Sequence, residues 1–228
     1  MHRGTDESEV RVLKEQYEVF LGLLTAEDKE GAIHYALGLL ESGEVDVATL
    51  YEGILAPALK NMACQLNDKQ WCIWKEHMRT SIVRTIIESC HGFVMKERRA
   101  KPGLQPKGKV VLACPTEEYH ELGIRMVADM FTMAGYDAEF IGANTPFPDI
   151  VSAVEYFRPK ILGISATSSY ALFAAGRAIK KVRERFPDKA ITIIVGGIAF
   201  ESNPEAWKEI GADACLSSYK DILALAGD

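Results

Sequence analysis

Residues 116–123 read TEEYHELG. They follow KVVLACP, an apolar run with the composition of a buried strand. An imidazole, His120, therefore stands at the mouth of a sheet, with Glu118 just before it and Gly123 just after it. A histidine that gives one ring nitrogen to a metal needs an acceptor for the other, and a nearby carboxylate fixes the tautomer and raises ligand basicity. The other histidines, His2, His34, His77 and His91, all lie in the first half of the chain. One imidazole does not hold a bare zinc ion, but it can serve as axial ligand to a metal already held in a macrocycle. A dinucleotide is the competing occupant of such a loop. It needs a Gly-x-Gly-x-x-Gly turn, whereas CPTEEYHELG has a single glycine. No Walker-type glycine loop with Lys-Ser/Thr is present either.

The elements that position the histidine follow from the periodicity of the second half. KVVLACP, YDAEFIGA, KILGISAT and AITIIVGG read as strands, and ACLSS as a short last one. Between them, HELGIRMVADMFTMAG, TPFPDIVSAVEYFRP and LFAAGRAIKKVRERFP read as helices, with a short helix around Glu205 to Ile210. Strict alternation predicts an α/β, doubly wound parallel sheet of the Rossmann-like or flavodoxin-like kind over 109–228. Ligands bind such sheets beyond the carboxyl ends of the strands. Those ends carry Pro115–Gly123, Gly142–Pro146, Ser165–Thr167 and Gly196–Gly197.

Residues 1–100 carry helical periodicity and predict a four-helix bundle. Val10, Leu13, Tyr17, Phe20, Leu21 and Leu24 form the first stripe, and Thr25 with Asp28 reads as the next N-cap. The second helix runs through Ile33, Ala36, Leu37 and Leu40 to Ser42-Gly43. A third starts at Asp46 or Thr49 and passes Pro57, which predicts a kink or irregular packing. A fourth covers about 72–98. Residues 101–108, within AKPGLQPKGK, read as an interdomain linker.

Composition sets outer limits. Of 228 residues, 48% are hydrophobic and 25% charged, which suits a packed core, and the net charge of -6 argues against a broad nucleic-acid surface. No apolar run approaches the roughly 18 to 20 residues of a membrane span. The start, MHRGTDESEV, has no apolar leader, so a cytoplasmic location is expected. Five cysteines, with no Cys-x-x-Cys pair, read as reduced thiols rather than a disulfide or zinc framework.

The strand-end motifs together resemble the cobalamin-binding domain of corrinoid proteins. That family carries a carboxylate-x-His-x-x-Gly motif, here Glu118-Tyr119-His120-Glu121-Leu122-Gly123. Its Ser-x-Leu/Thr segment is Ser165-Ala166-Thr167, its Gly-Gly pair is Gly196-Gly197, and the later GADAC fits its Gly-Ala-Asp ending. The first half resembles the helical cap that covers the corrin's upper face. The resemblance implies cobalamin as cofactor, held base-off with His120 as the lower axial ligand to cobalt. It implies that Gly123, Gly196 and Gly197 leave room for the cofactor's tail and that Ser165 and Thr167 offer it hydroxyls. Glu118 in place of aspartate, and the continuation GIRMVADMF, resemble the light-sensing cobalamin-dependent repressors more than the methyl carriers. Those repressors also carry a cap tryptophan followed by Glu-His. Glu76-His77 supplies the pair, facing the upper ligand or cobalt, but Leu66 occupies the tryptophan position and cannot stack; Trp71 and Trp74 lie at other spacings. The upper ligand is thus left open among methyl-, adenosyl- and hydroxo- forms. The expected function is a stand-alone sensor or regulator. The alternative is the corrinoid methyl-carrier subunit of a methyltransferase. With no DNA-binding module read before the first helix, DNA and membrane are not expected partners; a methyltransferase, a regulatory protein or self-association is.

Overall fold

The computed structural model describes residues 7–61, 69–188 and 191–227. The chain forms two compact units, Met1–Phe93 and Val94–Asp228. Among the described residues no helix is long and apolar enough to cross a membrane.

The first unit is helical. α1 is Glu7–Thr25, α2 is Lys29–Ser42, α3 is Val47–Thr49, α4 is Ala56–Asn61 and α5 is Lys69–Ser89. Asp28 caps α2 by accepting from Gly31 N at 2.9 Å, and Asp46 caps α3 by accepting from Thr49 N at 2.7 Å. Pro57 brings no N–H to the carbonyl one turn before it. The chain around it is a π-helical turn, Leu50–Leu55, in which the Ala56 N–H reaches back to the Tyr51 carbonyl. Phe20, Leu24, Ala36, Tyr51, Ile54 and Ile86 build the core. Val10, which the stripe places on the inner face, is 56% exposed. The helix expected over 72–98 is interrupted at Cys90, so α5 is followed by a separate α6, His91–Ala100, and the boundary between the units falls within α6.

In the second unit the strands are β1 Lys109–Ala113, β2 Asp137–Phe140, β3 Ile161–Ser165, β4 Thr192–Gly196 and β5 Ala214–Cys215. All neighbours are parallel, in the order β2-β1-β3-β4-β5. The expected α/β class and sheet are borne out. Between the strands run α7 Leu122–Met133, α8 Phe147–Phe157, α9 Ser169–Arg185, and the short α10 Ala199–Ser202 and α11 Ala206–Glu209. One face of the sheet buries Val111, Leu162, Ile164, Ile193 and Val195 against Ile150 and Val154 of α8 and Ile179 and Val182 of α9. Four consecutive residues are buried in each of β1 (Val110–Ala113) and β3 (Ile161–Ile164), as in strands covered on both sides. The order reverses between β1 and β3, which opens a crevice at the carboxyl ends of those two strands.

Segment 101–108 lies within the second unit, where Lys107 N donates to Gly135 O at 3.1 Å, Lys107 Nζ to Ala226 O at 3.0 Å, and Lys101 Nζ to the Tyr219 hydroxyl at 2.7 Å. One element differs from the sequence reading. A last helix, α12 Tyr219–Ala226, follows β5. Its signal is a capping box: Ser218 accepts from Asp221 N while Asp221 accepts from Ser218 N at 3.0 Å.

The Ser217 N–H, with further help from the Ser217 and Ser218 hydroxyls and the Ser218 N–H, holds the Asp221 carboxyl below its ordinary range despite some burial. A carboxylate depressed in the fold adds stability above its unfolded-state pKa and loses it as pH falls through the lower folded value. Asp221→Asn is therefore expected to unfold at lower denaturant than wild type at neutral pH and to converge with it in strong acid. Equal midpoints at neutral pH would show that the cap contributes nothing.

Candidate functional site

The loop after β1 is fastened to the loop after β2 before any side chain points toward a ligand. Cys114 N donates to Gly142 O at 3.0 Å, Thr145 N to Cys114 O at 2.9 Å, and Pro115 bridges Thr145. Glu117, at φ 64, donates its N–H to Asn144 Oδ1 at 2.8 Å, and Asn144 N returns a bond to Glu118 O at 2.8 Å. Asn144 itself sits at φ 50, a left-handed conformation that asparagine tolerates. This brace was not read from the sequence. Its signal is the Asn-Thr-Pro at 144–146, where a turn-tolerant residue precedes a helix start.

The brace turns Glu118 inward, to 1% exposure. Oε1 accepts from the His120 N–H at 2.9 Å and meets His120 Nδ1 at 2.7 Å. Oε2 accepts from the Thr167 N–H at 2.6 Å and the Thr167 hydroxyl at 2.7 Å. Thr167 Oγ1 also lies 3.0 Å from His120 Nδ1. Thr167 precedes Ser168, the N-cap of α9, whose side chain accepts from Ala171 N at 3.2 Å. The carboxylate is thus bound by the residue just before the N-cap of a 17-residue helix. Burial pushes the Glu118 carboxyl up, but the His120 N–H, the Thr167 hydroxyl, the His120 ring and the Thr167 N–H together outweigh it and hold the group below its ordinary value. Glu118 is an anion, and its Oε1 faces Nδ1 of a His120 side chain that is 69% exposed.

Around that nitrogen the expected residues divide. Gly123 is exposed in the first turn of α7, and a Cβ there would meet no protein atom within 4 Å, so a ligand group can approach the backbone. Ser165 is half-buried at the end of β3, level with Gly196 of β4. Gly196 and Gly197 are confined by the protein's own backbone: a Cβ would stand 2.9 Å from Leu216 O at the first and 2.3 Å from Ala166 O at the second, where φ is also +104. Their room is used by the neighbouring strand-end loops. Glu76 and His77 belong to α5 in the first unit, half-buried and exposed respectively, and their carbonyls accept from the Thr80 hydroxyl at 2.8 and 3.0 Å. Trp74 is 47% exposed, with Lys75 Nζ 5.7 Å from its ring centre, so it is not core packing. Leu66 and the side chain of Trp71 lie outside the described residues.

Among the described residues no group of three or more His, Cys, Asp or Glu side chains could hold a bare metal ion. Cys114, behind the histidine loop, is pushed up to about 12 by burial and by the nearby Glu118 and Glu121 charges, so it stays a thiol. Cys90, Cys114 and Cys215 are free, as expected. A single exposed imidazole backed by a carboxylate, an open glycine three residues on and a hydroxyl at the next strand end suit a ligand that brings its own metal and a long polar tail.

The family model described as B12 binding domain matches residues 108–225. The chain belongs to the B12-binding domain family. It is a cobalamin-binding protein, and the matched segment is the second unit with its strand-end motifs. Over 225 residues it is 22% identical to the HTH-type transcriptional repressor CarA of Myxococcus xanthus, covering 96% of this chain and 69% of the repressor. A corrinoid protein of Desulfitobacterium hafniense is 26% identical over 137 residues, covering 58% of this chain and 62% of that protein. The fold matches the monomethylamine corrinoid protein of Methanosarcina barkeri with a TM-score of 0.76 at 15% identity, over 93% of this chain and 97% of that one.

Gly197→Ala would force a side chain into the Ala166 carbonyl at a backbone angle that favours glycine. It is expected to cost about 1–3 kcal/mol. Urea unfolding followed by circular dichroism reads this, and an unchanged midpoint would mean the β3–β4 loop contact is not tight.

Proposed function

We propose that this chain holds cobalamin base-off, with His120 Nε2 as the lower axial ligand to cobalt, and acts as a sensory or regulatory module. The observation that carries the ligation is the Glu118–His120 pair: Nδ1 engaged by the carboxylate at 2.7 Å on an imidazole side chain that is 69% exposed. When bound, cobalamin supplies a cobalt centre whose upper ligand can be exchanged or released. The chain's residues prepare the other side. Glu118 keeps the proton on Nδ1 and strengthens Nε2 as a donor. Gly123 lets the tail pass close to α7, and Ser165 offers a hydroxyl to its polar atoms. Gly196 and Gly197 keep the β4 end low enough for the loops flanking the tail to close together. Glu76 and His77, on the first unit, are assigned to the upper-ligand side by their likeness to the Glu-His pair of the light-sensing repressors.

The regulatory reading is supported by the extent of the alignments. The match to the repressor CarA runs through both halves, 96% of this chain, whereas those to the corrinoid protein and to a dimethylamine corrinoid protein of Methanosarcina mazei cover 58% and 52%. A regulator of this kind signals by self-association or through a protein partner. The second reading, a methyl carrier serving a methyltransferase, draws on the 25% identity to that dimethylamine corrinoid protein.

The test is a visible spectrum of the full chain loaded separately with methyl-, adenosyl- and hydroxocobalamin, beside His120→Ala. Retained cofactor with a His-on spectrum that is lost in the variant is the expected result. An identical spectrum in His120→Ala would remove His120 from cobalt. Light scattering before and after photolysis then separates the readings. A change of mass on illumination is expected for the regulator. No change, together with methyl transfer to or from a partner enzyme, would establish the carrier.

A further inference from the structure

We propose that the outer face of α9 is a docking surface for a partner protein, and that its occupant is an acidic amphipathic helix. The surface uses none of the residues assigned to cobalamin. Apolar side chains on α9 have two separate uses. Ala171, Ala175, Ala178, Ile179 and Val182 are buried against the rest of the second unit. Tyr170 and Phe173, one turn apart on the opposite side of the helix, are 74% and 69% exposed. Beside Phe173 runs a groove of about 580 Å³ between α9 and the Glu209–Gly211 turn that ends α11. Leu172, Phe173 and Ile210 give it apolar walls. At Gly176 a Cβ would stand 3.2 Å from Ile210 Cγ2, so the glycine lets that turn sit close to α9 and leaves the middle of the groove without a side chain.

The charges on the rim decide the occupant. Helix α9 carries five cations and one anion, in a chain whose net charge is -6. Three of the five are engaged within the fold: Lys181 by Glu184, Arg183 by Asp213 and Arg185 by Glu155. Arg177 and Lys180, which line the groove, are exposed and in no ion pair among the described residues; Arg177 lies 5.3 Å from the centre of the Phe147 ring. Glu209 is the one carboxylate among the described lining residues, so the rim is positive on balance. Carboxylates flanking an apolar stripe complement this arrangement, and a basic or neutral partner does not. The shape selects a helix. The α9 wall extends from Ser169 to Arg183, about 21 Å of helix, with its lining residues three and four positions apart. A helix laid along it seats its own i, i+3 and i+7 side chains on Leu172, Phe173 and Ile210 and sets glutamates opposite Arg177 and Lys180. Exposed aromatic and arginine side chains are the types that dominate such contacts. A nucleic acid needs a longer run of free cations than these two.

The test uses the full chain and a fluorescein-labelled synthetic helix of about five turns, with leucines along one face and glutamates on both flanks. The comparison probes are the same peptide scrambled, its lysine-for-glutamate counterpart and a DNA duplex. Fluorescence anisotropy is expected to show saturable binding of the glutamate helix alone, weakening as salt is raised. Phe173→Ala and Lys180→Glu change exposed side chains, so circular dichroism should show the fold kept, and each should weaken binding about tenfold. Tyr156→Ala, at an equally exposed tyrosine on α8, should leave it unchanged. Absence of saturable binding overturns the proposal. So does equal binding of the scrambled peptide, tighter binding of the DNA duplex, or wild-type affinity in either α9 variant. A dimer in light scattering that Phe173→Ala dissolves would give the face to a second copy of the chain and overturn it as well. None of these readings involves cobalamin, so they stand or fall separately from ligation, which the His120→Ala spectrum decides.

Discussion

Glu118 is a carboxylate taken almost wholly out of water, and a buried anion is tolerated where donors replace the solvent it has lost. Four donors do so: two from the histidine's own loop and two from the loop after β3. Remove this carboxylate and the imidazole has no fixed orientation, the β1 and β3 loops lose their common anchor, and the N–H groups of His120 and Thr167 lose their acceptor. Chemistry and local architecture therefore depend on the same side chain.

The sheet explains why these loops meet. Strand order reverses between β1 and β3, so the segments leaving those two strands turn to opposite faces and leave a gap between them. His120 leaves one side of the gap and Thr167 the other. The brace from Asn144, on the loop after the outer strand β2, closes the third side. A site of this kind needs rigid strands beneath it, and fully buried Val110, Val111, Leu162 and Ile193 provide them.

Much of this was legible in the residues. Alternating apolar runs and amphipathic segments gave the strands and most helices, because burial on both faces leaves an uninterrupted apolar run. Glu118, His120 and Gly123 stood out because a carboxylate, an imidazole and a glycine at a strand end have a chemical reason to be together. What was missed depends on contacts distant in sequence. Asn144 and Thr167 meet Glu118 through the fold, and no local pattern announces it. The bond from the Thr167 hydroxyl to Glu118 was not foreseen, because a strand-end hydroxyl gives no local sign of the carboxylate it meets. The break at Cys90 is also a tertiary outcome, since helical periodicity carries through it, whereas the π turn before Pro57 is the irregularity that the proline announces. The capping box of α12 was local and readable, but a short helix after a two-residue strand leaves little periodicity to notice.

The cross-loop hydrogen bonds around Glu118 have a consequence for the energetics of ligand capture. The imidazole and its loop are held by the protein's own hydrogen bonds, which take up much of the conformational freedom that a ligand would otherwise have to remove. Recognition at this edge of the sheet is therefore closer to a key entering a cut lock than to a loop folding around its guest. Affinity then reflects complementarity more than ordering. The same rigidity limits what the site can accept, because a ligand with its metal at a different height above the sheet would find an imidazole that cannot follow it.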